Sequence, residues 1–210
     1  MSPELSIFVL LVVVFVGWFA LGTHTNVRKG HRFLEWLQDG LPLLGEKTTL
    51  HWLGSSVVQL KIENACQPFR RAEILVVLEP RDVPLIWLFS RLQGRCDLLI
   101  VRTELRTQPK MQVEVLAGKA WSAKVVAQEV ARLNWPLQSA VAGQPFQIYS
   151  PTPASAGELI AEVSRCDLRL VRIGVRKSNN GLELQWRLPR HPNSTSRAVF
   201  EAVQRVAHQL

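Results

Sequence analysis

Four arginines carry the strongest chemical signal in the chain. Arg102 and Arg106 are followed 70 residues later by Arg172 and Arg176, each pair four residues apart. In an extended strand, residues two and four apart point to the same side. Each pair therefore presents two guanidinium groups on one face, a fork geometry suited to carboxylates or to lipid phosphates. The competing use of the same groups is pairing across strands with Glu104, Glu114 or Glu183.

Other chemistry has little to stand on. The five histidines (His24, His31, His51, His191 and His208) show no H-x-x-x-H or H-E-x-x-H spacing. No glycine-rich phosphate loop follows a strand. Asp97 and Asp167 are repeat-related residues at strand starts, expected as caps rather than acids. The three cysteines, Cys66, Cys96 and Cys166, lie far apart, which is neither a disulfide framework nor a metal or redox pair. No cofactor, metal or catalytic residue is expected, and the chain is read as a non-enzyme. The formal charge is +8. It is dispersed, and the strand over 111–116 carries no aromatic residue, which favours an anionic lipid or acidic protein partner over nucleic acid.

The arginine pairs belong to a longer repeat. Arg95-Cys-Asp-Leu-Leu-Ile-Val-Arg-Thr-Glu-Leu-Arg106 returns as Arg165-Cys-Asp-Leu-Arg-Leu-Val-Arg-Ile-Gly-Val-Arg176, with seven of twelve positions identical. Self-similarity at a fixed offset implies duplicated units. In the first copy, a strand over 73–79 precedes a helix over 83–93, capped by Asp82 and closed by Gly94. Strands over 98–106 and 111–116 and a helix over 120–134 follow. In the second copy, a strand over 146–150 leads to a helix over 156–164, opened by the capping-box pattern Ser155-x-x-Glu158. A hairpin of 168–176 with 182–188 turns on Asn180-Gly181, and a helix over 196–210 ends the chain. Another strand is expected over 57–63.

Leu5–Gly22 is an 18-residue run without a charge, about 27 Å as a helix and apolar all round, so it reads as a transmembrane span. The residues before it carry Glu4 and neither Lys nor Arg, unlike a secretory signal. Arg28, Lys29 and Arg32 follow it, which places the N-terminus outside and the larger domain in the cytoplasm of a cell (inner) membrane protein with a single pass. Residues 32–39 form an amphipathic helix. It is expected at the headgroups, with Phe33 and Trp36 inserted beside Arg28, Lys29 and Arg32; capping of the following core is the competing role.

The expected fold class is α+β: an N-terminal transmembrane helix followed by a tandem repeat of two βαββα units of ferredoxin-like type. Residues 1–26 are the anchor and 27–56 the membrane-proximal helix and linker. Residues 57–140 and 141–210 are the two units. The function expected is an accessory, assembly or stabilising subunit of a larger integral-membrane complex. Its partners would be integral-membrane subunits and anionic lipid headgroups, met through Arg102, Arg106, Arg172, Arg176, Phe33, Trp36, Arg28, Lys29 and Arg32. The alternative is a membrane-anchored regulatory or ligand-binding module using the cleft between the repeats.

Overall fold

The computed structural model describes residues 2–117, 126, 130, 134–138, 146–151, 156–189 and 195–210. It opens on one helix, α1 (Pro3–Gln38), of 36 residues. Pro3 occupies its first turn, Ser2 Oγ accepts from the Leu5 amide at 3.4 Å, and Glu4 complements the positive end of the helix dipole. Its N-terminal half is exposed and apolar, and the helix is long and apolar enough to cross a membrane.

The C-terminal half of α1 belongs to the folded domain. Gly22, Asn26, Gly30, Phe33 and Leu37 form a buried stripe at helical spacing. Gly22 allows the closest approach: a Cβ there would lie 2.3 Å from the Arg81 carbonyl oxygen. Phe33 and Leu37 are fully buried in the main core, and Ser196 Oγ donates to the Leu37 carbonyl at 3.3 Å. The expected headgroup helix over 32–39 is therefore corrected. It continues the anchor without a break, and Phe33 roofs the sheet instead of facing lipid, with Trp36 packed at the edge of the same core. No proline interrupts residues 23–38, so nothing local stops the helix between the two segments.

After a 3-10 turn at Leu41–Leu43, the chain forms β1 (Thr48–Leu53), β2 (Val57–Ile62), β3 (Phe69–Val77), α2 (Pro84–Leu92), β4 (Leu98–Leu105) and β5 (Val113–Ala117). There follow β6 (Leu137–Gln138), β7 (Phe146–Tyr149), α3 (Ala156–Val163), β8 (Arg169–Arg176), β9 (Gly181–Arg187) and α4 (Ser196–Gln209). The strands make one sheet in the order β1-β2-β3-β4-β9-β8-β5-β7-β6, every pair antiparallel. The fold is α+β. The β8–β9 hairpin turns at Asn180, at a positive φ of 50°, as the Asn-Gly pair predicts. It lies between β4 and β5, so strands from residues 57–140 and 141–210 share a single sheet.

One face of the sheet carries the core. Leu60, Ile74, Leu99, Leu184, Trp186 and Val175 pack beneath α3, α4 and the end of α1. Val199, Phe200, Val203 and Val206 supply the α4 stripe. On the other face, Leu116 packs with Val126, Val130, Trp135 and Tyr149. Of the helix expected over 120–134, the described residues are Val126 and Val130, both helical, and Asn134, which is a turn residue at a positive φ of 52° and so ends the helix before it; the rest, like the Ser155 cap, lies outside the described residues.

Several local expectations shift. β1 falls inside the expected linker; it is an edge strand with four of six residues exposed, so it lacks the alternation that marks a half-buried strand. β3 starts four residues before the expected Glu73, at Phe69. The N-cap of α2 is Val83, not Asp82, whose Oδ2 instead accepts from Ser55 Oγ at 2.6 Å. Gly94 follows α2 at a positive φ of 75°, as its role there requires.

Gly17 and Gly22 separate the exposed from the packed part of α1. Gly22→Val should force α1 off the Arg81 backbone and lower stability by about 1–3 kcal/mol. Gly17→Val, where a Cβ meets nothing within 4 Å, should be close to neutral. Thermal unfolding of the full chain in mild detergent, followed by near-UV circular dichroism, distinguishes them.

Candidate functional site

The face of the sheet opposite the core carries a ladder of alternating charge. Glu73 lies opposite Arg102 across β3–β4, and Arg102 opposite Glu183 across β4–β9. Arg102 Nε donates to Glu183 at 2.9 Å, and its Nη1 lies 3.8 Å from Glu73. Arg172 bridges Glu183, at 3.1 Å, and Glu114, and Arg176 reaches Glu114 at 2.9 Å. Arg102, Arg172 and Arg176 are thus brought together as the strand spacing predicts, but with carboxylates between them. Arg106 is used differently: its guanidinium donates to the carbonyls of Phe69 and Ala65, pinning the approach to β3.

A bulge makes this arrangement possible in the second copy. In β8, Leu170 and Arg172 pair with successive β9 residues, Trp186 and Gln185, leaving Val171 as the extra residue. Strict alternation would put Leu170 and Arg172 on one face. The bulge keeps Leu170 in the core and turns Arg172 out. In β4, by contrast, Val101 is in the core and Arg102 opposite it without a bulge. The repeat positions therefore match at Arg102/Arg172 and Leu105/Val175 but diverge at their beginnings. Asp97 and Cys166 are buried, whereas Cys96 is half-buried and Asp167 exposed.

Gly174 completes the ladder. It stands opposite both Glu114 and Glu183, and a Cβ there would lie 3.2 Å from Glu114 Oε2. Without a side chain, it leaves room for the fully buried Glu114. Burial pushes the Glu114 carboxyl above its ordinary value, only partly offset by Arg172 and Arg176. Burial acts on Glu183 in the same direction, but Arg172 and Arg102 hold it below the ordinary value. Arg176 also stacks on Trp135, 4.7 Å from the ring centre. An open recess of about 570 Å³ lies over this face, lined by Arg102, Arg172, Arg176 and Trp135 among others. Arg102, 49% exposed, is the cation of the ladder most available to an incoming anion.

A second ionic centre sits at the other end of β4. Asp97 accepts from Lys29 of α1, from both terminal nitrogens of Arg81 (3.1 and 3.0 Å) and from the Glu79 amide (2.8 Å). Burial alone would raise its carboxyl, yet these hydrogen bonds hold it below the ordinary value. Arg81 also donates to Asn26 Oδ1 at 3.2 Å, and Asn26 Nδ2 donates to Ser56 Oγ and the Glu79 carbonyl, both at 3.0 Å. Lys29, expected at lipid, is thus committed to the interior, whereas Arg28 and Arg32 remain exposed. Glu114 and Glu183 pair with the arginines across strands, as the competing use of those groups anticipated, whereas Asp97 was expected as a cap and not as a hub. The one available hint was Asn26, a polar residue on what became the buried stripe of α1.

Burial raises the Cys96 and Cys166 thiols, which makes them poor nucleophiles. Among the described residues, no three His, Cys, Asp or Glu side chains are placed to hold a metal.

The ladder and the hub separate in stability measurements. Arg172→Ala leaves Glu114 buried beside one fewer cation and should cost about 3–5 kcal/mol in urea unfolding of the full chain. Arg102→Ala, at a half-exposed site, should cost less than about 1 kcal/mol. The Asp97 carboxyl is depressed in the fold, so its contribution is present above its ordinary value, about pH 4, and is lost as pH falls through the folded value. The stability gap between the wild type and Asp97→Asn should therefore be widest near neutrality and close on acidification. No protein-family model and no curated protein matches this chain.

Proposed function

We propose that the protein is a non-catalytic, single-span membrane subunit whose domain rests on the cytoplasmic face and assembles with, or stabilises, a larger integral-membrane complex. The observation that carries this reading is the continuity of α1. One helix is exposed and apolar over its first half and forms part of the domain core over its second. A domain joined this way keeps a fixed height and orientation at the bilayer, which suits assembly with other membrane subunits. The saturation of the charge ladder by its own carboxylates supports a structural rather than a catalytic face. Arg28 and Arg32, exposed just beyond the apolar half of α1, support the cytoplasmic orientation.

Descent from two βαββα units of ferredoxin-like type is part of the same reading. It is supported by the repeated segment and by the matched placement of Arg102 and Arg172 opposite the core. A second reading, a membrane-anchored ligand-binding module, draws on the recess bordered by arginines from both repeats and by Trp135. That lining suits a flat anion stacked between guanidinium and indole.

A reporter fused after Leu210 should be cytoplasmic, and protease added to intact cells should leave residues 30–210 uncut. Purification in mild detergent followed by mass spectrometry should recover integral-membrane subunits in stoichiometric amounts. A lone monomer would favour the ligand-binding module, and an externally accessible C-terminus would overturn the orientation.

A further inference from the structure

Helix α2 is built inside out for a helix facing water. Leu85, Ile86, Leu88, Phe89 and Leu92 are all more than half exposed, up to 78% at Leu92, while its one fully buried residue is Ser90. At 100° per residue, the five apolar side chains cover one broad face, and Trp87, Ser90 and Arg91 turn the other way. Scattered exposed apolar residues are ordinary, but a contiguous helical face of them marks an interaction site.

The position of α2 specifies the occupant. Trp18 of the anchor donates from Nε1 to the Arg81 carbonyl at 2.9 Å, and its ring lies 5.9 Å from that of Trp87. Gly22 abuts the backbone of Arg81 and Asp82. The domain thus grips the apolar part of α1 four residues before that run ends. Pro3–Gly17, the stretch below the grip, is only about 22 Å long, against a hydrocarbon thickness of about 30 Å. To cover the remainder, the bilayer must rise to the level of Trp18–Gly22, and α2 stands beside those residues. Exposed apolar helix and shortfall of span meet at one height.

Behind α2 and beside α1 is a recess of about 550 Å³. Its lining has six Lys and Arg side chains, among them Arg32, Arg91 and Arg187, against two carboxylates, Glu79 and Asp97. Both carboxylates are engaged within the protein: Asp97 by Lys29 and Arg81, Glu79 by Arg81 at 3.3 Å and by Trp87 Nε1 at 3.0 Å. The recess therefore keeps a net positive charge directly behind an apolar face, the order of groups that a phospholipid presents along its length.

We propose that α2 is a second membrane contact, its apolar face among the acyl chains beside the anchor, and that the recess behind it takes the phosphate of an anionic lipid. This rests on the reading of α1 as a span, and it assigns to α2 the interfacial role that the sequence pattern suggests for residues 32–39.

The test uses the full chain in lipid nanodiscs of phosphatidylcholine, with or without phosphatidylglycerol, carrying a benzophenone photo-crosslinker at one position. Placed at Phe89, it should form lipid adducts; at Gln108, beyond the opposite end of β4, it should form none. Phe15, on the exposed half of α1, is the control for the span. Adducts at Phe15 without adducts at Phe89 would overturn the proposal alone, and their absence at both would overturn the span as well. Protein adducts in place of lipid at Phe89 in native membranes would also overturn it, in favour of a subunit on α2. For the recess, phosphatidylglycerol retained on extraction should fall about five-fold for each of Arg32→Ala and Arg187→Ala. Unchanged retention, or its displacement by millimolar inorganic phosphate, would overturn the lipid assignment. An inverted topology would leave all these adducts in place while removing the proposed function.

Discussion

Asp97 fastens the long apolar helix α1 to the sheet. It sits at the foot of a central strand and draws together Lys29 from α1, Arg81 from the segment before α2, and the backbone at the end of β3. A buried carboxylate is costly unless its lone pairs are filled, and here they are filled from three directions. The donors come from three separate elements, so one carboxylate ties them at a single point. Around this centre, Asn26 and the close approach at Gly22 extend the contact along two turns of α1. Ion pair, amide and missing side chain together make anchor and domain one body.

The charge ladder across the open face works by the same rule at the other end of the sheet. Glu114 is fully buried, and only the arginines on either side of it make that tolerable. The bulge at Val171 and the bare backbone at Gly174 are what bring those arginines and that carboxylate to one level. A ladder of this kind holds register, since a slip of one residue would turn the charged set towards the core face. It also limits what the ladder can offer a partner, because of its three arginines Arg102 alone keeps about half of its surface.

Fixing the anchor has a consequence for α2. A domain on a flexible tether could hold an apolar helix anywhere; a domain locked to Trp18 and Gly22 holds it at one height. Trp18 and Trp87 pack at the level where indole rings favour the boundary between chains and headgroups. In the proposed membrane contact, the basic recess would lie on the headgroup side of that boundary, with the apolar face of α2 on the other.

The α+β class, the apolar run of α1, the Asn-Gly hairpin and the outward placement of Arg102 were all legible in the sequence. Each depends on local periodicity or turn chemistry, which the chain carries within a few residues. Three features were not legible in that way. The helix over 32–39 and α2 are both short and amphipathic or apolar, and pattern alone does not say whether such a face meets a core or a lipid. Phe33 met the core because α1 runs unbroken over the sheet, and α2 was left outside because β3 and β4 close on each other without it. Strand pairing between the two halves, with β8–β9 set between β4 and β5, is a choice among distant partners that no local signal encodes. The partners of Asp97 were hidden for the same reason: a carboxylate becomes a hub only when residues 16 to 68 positions away arrive beside it, and tertiary packing alone brings them there.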